Sequence, residues 1–158
     1  MARLEYRLYI DEEHYTPLYY YESIDLEQII TRRECEFFVK DGVTYREISS
    51  AYEGNEVFVI YVETHNEGPK DVESGSEKLV LEVRMLNHVA GHPLIKKIEV
   101  DTHLEVMGFI GSSFTYFEGK EWLRDSAEID EDRKLYVLYV TPTGFIIEDK
   151  VDTNHEKY

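Results

Sequence analysis

Cysteine, basic charge and long apolar runs are all scarce in this sequence, and each scarcity excludes something. Cys35 is the one cysteine among 158 residues, so no intrachain disulfide can form. No apolar stretch approaches the roughly 20 residues of a membrane helix, and the opening "MARLEYRLYI" lacks the apolar run of a signal peptide. A soluble, cytoplasmic protein with no membrane contact is the expectation. Lysine and arginine total 17 against 33 aspartates and glutamates, a formal charge of −16. Basic pairs such as Arg32–Arg33 and Lys96–Lys97 are isolated in this acidic chain, so phosphate backbones are repelled and direct nucleic-acid binding is not expected.

Catalytic signatures are missing too. "GFIGSS" at 108–113 lacks the lysine and length of a phosphate loop and the serine spacing of a nucleophile elbow. It reads as a turn beside a strand. His88 is not followed by glutamate, so the zinc-protease helix motif is absent, and no Ser-His-Asp or Cys-His arrangement follows from spacing. Cys35 lies between Glu34 and Glu36, whose charges disfavour a reactive thiolate, so a buried structural cysteine is expected.

What is present is an aromatic, moderately apolar chain. Hydrophobic residues make up 42%, with 13 tyrosines and 7 phenylalanines. Such side chains suit a pleated, half-buried surface. The length suits one domain, 1–158, that buries roughly 70% of the surface its unfolded chain exposes. The class expected is α+β: a strand-rich, largely antiparallel sheet built from hairpins, with two short helices.

The first strand is "LEYRLYI", which alternates Leu4, Tyr6, Leu8 and Ile10 on one face. A helix is predicted over about 25–33, with Asp25 as its cap and Gln28 as capping-box partner. Ile24 and Ile29 would form its hydrophobic staple, and Arg32 and Arg33 suit the negative end of its dipole. Residues 34–64 carry two turn signals, Asp41-Gly42 and Gly54-Asn55, between strand-like runs, which predicts a three-stranded meander. Tight turns would pair Val39 with Thr44, Phe37 with Arg46 and Ser50 with Val59. Cys35, Phe37, Val39, Ile48, Tyr52, Val57, Val59 and Tyr61 would then face the core. That register sets Arg46 opposite Glu63, and it sets Glu36 opposite Glu47, a repulsive pair that counts against it.

Residues 64–78 are polar and aperiodic and read as a flexible loop. "LVLEVRML", "LIKKIEV" and "SFTYFE" read as strands, and "KEWLRDSA" suggests a second helix over about 119–127. A C-terminal hairpin over 135–151 is predicted around Pro142-Thr143-Gly144. Both faces of its first arm, "LYVLYV", are apolar, so that arm belongs inside the sheet.

Three clusters have side chains suited to chemistry or binding. "LNHVAGHPLIKKIEVDTH" puts three of six histidines within residues 86–103. His88 and His92 have helical spacing, but Gly91 and Pro93 make a loop the better reading. With His103 and Asp101 they form the candidate metal site, and a divalent metal is the one cofactor the pattern suggests. Weak calcium or magnesium binding by the acidic run at 124–134 is the lesser alternative, since that run lacks the alternation and glycine of a calcium loop. Asp125, Glu128, Asp130, Glu131 and Asp132 form the densest acidic run, expected as a solvated loop and interaction surface. Tyr19, Tyr20 and Tyr21, after Tyr15 and Pro17, suggest an aromatic platform, with core packing as the plainer alternative. The function expected is a non-catalytic interaction or regulatory domain with an acidic, tyrosine-rich surface. Its partner would be another protein, a basic one by charge, or a second copy of itself. A small metal-dependent enzyme using His88, His92 and His103 is the alternative.

Overall fold

The computed structural model describes residues 1–65 and 77–147. Twelve elements follow one another: β1 (Ala2–Asp11), β2 (His14–Ile24), α1 (Leu26–Arg33), β3 (Phe37–Lys40), β4 (Val43–Gly54), β5 (Val57–His65), β6 (Leu79–Met85), β7 (Leu94–Val100), α2 (His103–Ile110), β8 (Phe114–Phe117), β9 (Lys120–Asp130) and β10 (Leu135–Ile146). The strands form one sheet in the order β2-β1-β5-β4-β3-β9-β10-β6-β7, with β8 beside β9. The α+β class holds, but the sheet is mixed: β1–β5, β3–β9 and β10–β6 are parallel pairs.

Alternation builds the main core on the face that carries both helices. Leu4, Tyr6, Phe38, Ile60, Val62, Leu81, Val83, Ile129, Tyr136 and Leu138 point there and meet Ile29 of α1 with Val106 and Ile110 of α2. The opposite face holds a smaller cluster of Val80, Leu135, Val137 and Tyr139. β10 lies between β9 and β6, and residues 135–140 are buried throughout, as its two apolar faces predict. By sequence the sheet divides in two. β1–β5 form one half and β6–β10 the other, joined by three parallel pairs, Phe37–Glu128, Phe38–Ile129 and Val39–Asp130.

The first helix forms as predicted, with the Asp25 carboxylate accepting from the Gln28 N–H at 2.8 Å. Ile24 and Ile29 are both buried in the main core, but the Gln28 side chain turns to Arg32. The first meander turn also holds: Asp41 and Gly42 take positive φ, and Val39–Thr44 and Phe37–Arg46 pair. The second turn lies one residue further on, at Asn55 and Glu56, because Gly54 is still paired with Val57. β4 also has irregularities between Glu47 and Ser49 and between Tyr52 and Gly54. Ser50 therefore pairs with Ile60, not Val59, and the inward set changes. Tyr45, Ile60 and Val62 are buried, whereas Ile48 and Tyr52 are exposed. Arg46 does face and pair with Glu63.

Two other expectations fail for one reason, the β-bulge. Residues 119–127 are no helix, since β9 runs through them. Between Ser126, opposite Tyr139, and Arg124, opposite Val140, Asp125 is an extra residue. It spaces inward-facing Trp122 and Ala127 by five, an odd number that breaks the two-residue alternation by which a strand is read. The hairpin over 135–151 does not form either. β10 continues past Pro142, pairing Pro142 with Trp122 and Ile146 with Lys120 across an irregularity that includes Gly144 at φ 94°. β6 pairs with β10 only as far as Val140, so Pro142 sits where the strand has one neighbour and lacks little by having no N–H. Residues 148–151 of that hairpin, and 66–76 of the polar loop, lie outside the described residues.

The second helix is α2, capped by the Thr102 hydroxyl accepting from the Glu105 N–H at 3.2 Å. Among the described residues no helix is long and apolar enough to cross a membrane.

Candidate functional site

β3 and β8 pair with the same edge of β9. β8 covers residues 120–123 and β3 covers residues 128–130. A gap remains at residues 124–127, and the C-terminal ends of both helices lie over it. The result is a cleft of about 400 Å³, lined by Arg33, Glu34, Glu36, Glu47 and Arg124 and by 110–113 at the end of α2. Crevices of this kind, where strands part company, are favoured ligand positions in sheet proteins.

Bulges aim two of its side chains. The Asp125 bulge lets both Arg124 and Ala127 point to the helical face, and the irregularity after Glu47 at Ile48 does the same on β4. Arg124 is fully engaged. It makes a two-pronged ion pair with Glu36 at 2.7 and 2.8 Å, and donates to the Ile110 carbonyl and to the Glu34 carbonyl at 2.9 Å. One cation thus ties down carbonyls at the negative ends of α1 and α2. Glu36 is saturated in turn, since its Oε1 also accepts from the Ala127 N–H at 3.0 Å.

The repulsive pair foreseen from the register is present: the Glu47 N–H donates to the Glu36 carbonyl at 2.8 Å, beside β3. Arg124 satisfies Glu36, but no described residue does the same for Glu47. Its Oε1 is buried and has no hydrogen-bond partner among the described residues. Burial, and then the charges of Glu36 and Glu34, push its carboxyl up to about 8, while Arg33 pulls the other way. Glu47 is therefore a neutral acid at neutral pH.

Arg33 is the counterpart. Seven of the eight arginines are bonded to carboxylates, among them Arg3 to Glu5, Arg7 to Glu53, Arg32 to Glu131 and Arg133 to Asp130. Arg33 has no carboxylate partner among the described residues, and its guanidinium lies 5.8 Å from the Phe58 ring.

The residues singled out from sequence lie elsewhere. His88 and His92 occupy the β6–β7 loop, with rings 4.9 Å apart, and the His92 Nδ1 accepts from the Asn87 N–H at 2.9 Å. Asp101 and His103 follow the far end of β7, seven residues away at about 3.3 Å per residue. The His103 ring is 2.8 Å from the Tyr136 hydroxyl, and burial lowers its pKa. The four are not brought together, and among the described residues no group of three His, Cys, Asp or Glu side chains is placed to hold a metal ion.

The acidic run is divided between surface and interior. Asp125 and Asp132 are exposed, but Glu128 and Asp130 are each 1% exposed inside β9, where Asp130 holds Arg133 at 2.8 Å. Glu131 is bonded to Arg32. The Asp132 carboxylate accepts from the Asp41 and Gly42 N–H groups at 2.7 and 2.8 Å, bracing the β3–β4 turn. A single solvated acidic patch does not exist, because the expected loop is mostly strand.

The tyrosines alternate. Tyr19 and Tyr21 pack on the core, while Tyr20 is exposed with Arg3 at 4.5 Å from its ring. On that same outer face Arg7 lies 4.3 Å from the Tyr15 ring, between Glu5 and Glu53. Sequence reasoning thus missed the cleft, although the Glu36–Glu47 conflict pointed to it. Cys35 is buried, and burial first and Glu36 second raise its thiol well above the ordinary range. No protein family, curated protein or solved structure matches the chain.

Proposed function

We propose that the protein is a non-catalytic interaction or regulatory domain that binds a positively charged group, with the cleft around Glu47 as its anchor. One observation carries the reading: Glu47 offers a buried oxygen with no donor among the described residues, in a cleft that it shares with the carboxylates of Glu34 and Glu36. A proton occupies that position when the cleft is empty, and a ligand cation would replace it. The formal charge of −16 supports the same reading, since it would steer a basic partner towards the surface.

A fluorescent lysine-rich peptide is the first probe. Its association should slow as salt is raised. Glu47→Gln, which keeps the shape and removes the charge, should weaken binding by about tenfold, or about 1.4 kcal/mol. Salt-independent association and an unchanged affinity in Glu47→Gln would together remove the proposal.

The protonated carboxyl favours a second reading, general acid chemistry on a ligand in the cleft. The two readings differ in the variant: Glu47→Gln would abolish turnover while leaving ligand affinity within about twofold, less than the 1.4 kcal/mol of a tenfold change.

A further inference from the structure

Within the cleft, the side chains of Arg124, Glu36 and Ser112 are already engaged. Arg124 commits its guanidinium to Glu36 and two carbonyls, and both Glu36 oxygens are taken. The Ser112 hydroxyl donates to the Gly108 carbonyl at 2.8 Å. Two of the charged side chains that remain, Glu47 and Arg33, are of opposite sense. Among the described residues, the buried Glu47 oxygen has no donor and the Arg33 guanidinium has no carboxylate. They line the same cleft and feel each other's charge, yet they are not bonded to one another. An arginine in the last turn of a helix is ordinarily explained by the dipole alone. Here Arg32, its neighbour, is buried and bonded to Glu131, and Arg33 alone is left facing open space beside an unsatisfied acid.

We propose that the cleft holds a small zwitterion of the α-amino-acid type, its ammonium on Glu47 and its carboxylate on Arg33. The inference rests on the reading of the cleft as a cation-binding site and adds the second charge. A ligand with both groups supplies the donor that Glu47 lacks and the acceptor that Arg33 lacks, and it bridges two side chains that do not reach each other. Arg33 would repel a bare cation, but a zwitterion brings the charge that neutralises it. The pocket, at about 400 Å³, lies at the small end of the roughly 300–1,000 Å³ range of ligand pockets. It is open and polar, which suits a charged head group better than an apolar one. The ammonium would displace the proton that Glu47 carries in the empty cleft. The charged groups that set this exchange are Glu36 and Arg124 from the sheet and Arg33 and Glu34 from the end of α1, while the lining residues at the end of α2 have no titratable side chain.

The test is a titration of the full chain, read by calorimetry and NMR, with a panel of the common L-amino acids. The tightest binder is then compared with its decarboxylated amine and its deaminated acid. The amino acid should bind at least about tenfold tighter than either half, a difference of about 1.4 kcal/mol. Arg33→Gln should lower its affinity to that of the amine, and Glu47→Gln to that of the acid. An amine that binds as tightly as its amino acid would overturn the zwitterion and leave the cation site standing. The zwitterion is equally overturned, and the cation site kept, if no amino acid binds while the lysine-rich peptide still binds through Glu47. Absence of binding by amino acid, amine and peptide alike would overturn both.

Discussion

Glu47 is the residue whose surroundings most oppose its charge, and that opposition has a sign that can be measured. A carboxyl whose value in the folded chain is raised from the ordinary 4.5 to about 8 contributes its full share of stability below the lower value. The folded state keeps the proton across that window while the unfolded chain has lost it. The contribution is therefore lost as pH rises through about 8. Glutamine keeps the shape and cannot ionise. The thermal midpoint of Glu47→Gln, relative to wild type, should climb between these pH values and level off above the upper one. A difference that stays flat with pH would mean that Glu47 ionises as any exposed carboxyl does. Part of this was legible beforehand, since the meander register already set Glu36 against Glu47. Arg124, which resolves half of the conflict, was not legible. It lies 88 residues from Glu36 in sequence, and a bulge decides which face it takes.

At the scale of elements, turns and bulges decided what the sequence pattern could and could not convey. The Asp41-Gly42 turn places its residue types where positive φ is needed, and its register followed directly. The second turn carries positive φ at Glu56 as well as at Gly54 and Asn55, and in glutamate that conformation forces a close approach between Cβ and carbonyl. Glu56→Gly should accordingly stabilise the fold by about 1 kcal/mol, read as a higher midpoint in chemical denaturation. A lower midpoint would mean that the Glu56 side chain does more than endure its backbone. α1 announced itself through Asp25 and its spacing of apolar residues. α2 carries a comparable signal, Thr102 followed three positions later by Glu105 just before an apolar run, which a search for strand alternation passes over. The false helix at 119–127 and the false hairpin at 135–151 both arose where bulges break the two-residue alternation of strands. Local periodicity cannot register an extra residue that only the partner strand defines.

For the molecule as a whole, composition conveyed the class, the acidity and the aromatic core, but not the order of strands, and order is what makes the cleft. The residues around it come from α1, the connection between α1 and β3, β4, the end of α2 and β9, segments that no short motif unites. The same order leaves the two half-sheets joined by three pairs between β3 and β9. Hydrogen exchange gives that narrow join a consequence of its own. Amides deep in a wide sheet ordinarily wait for global unfolding before they meet solvent. Here the backbone amides that cross the join, such as that of Glu131 donating to the Val39 carbonyl, need only a brief parting of the two halves. Those of residues 136–140 in β10, paired on both sides, need far more. The amides at the middle of the sheet should thus exchange sooner than those of the neighbouring strand β10, and a ligand spanning the cleft should slow them first.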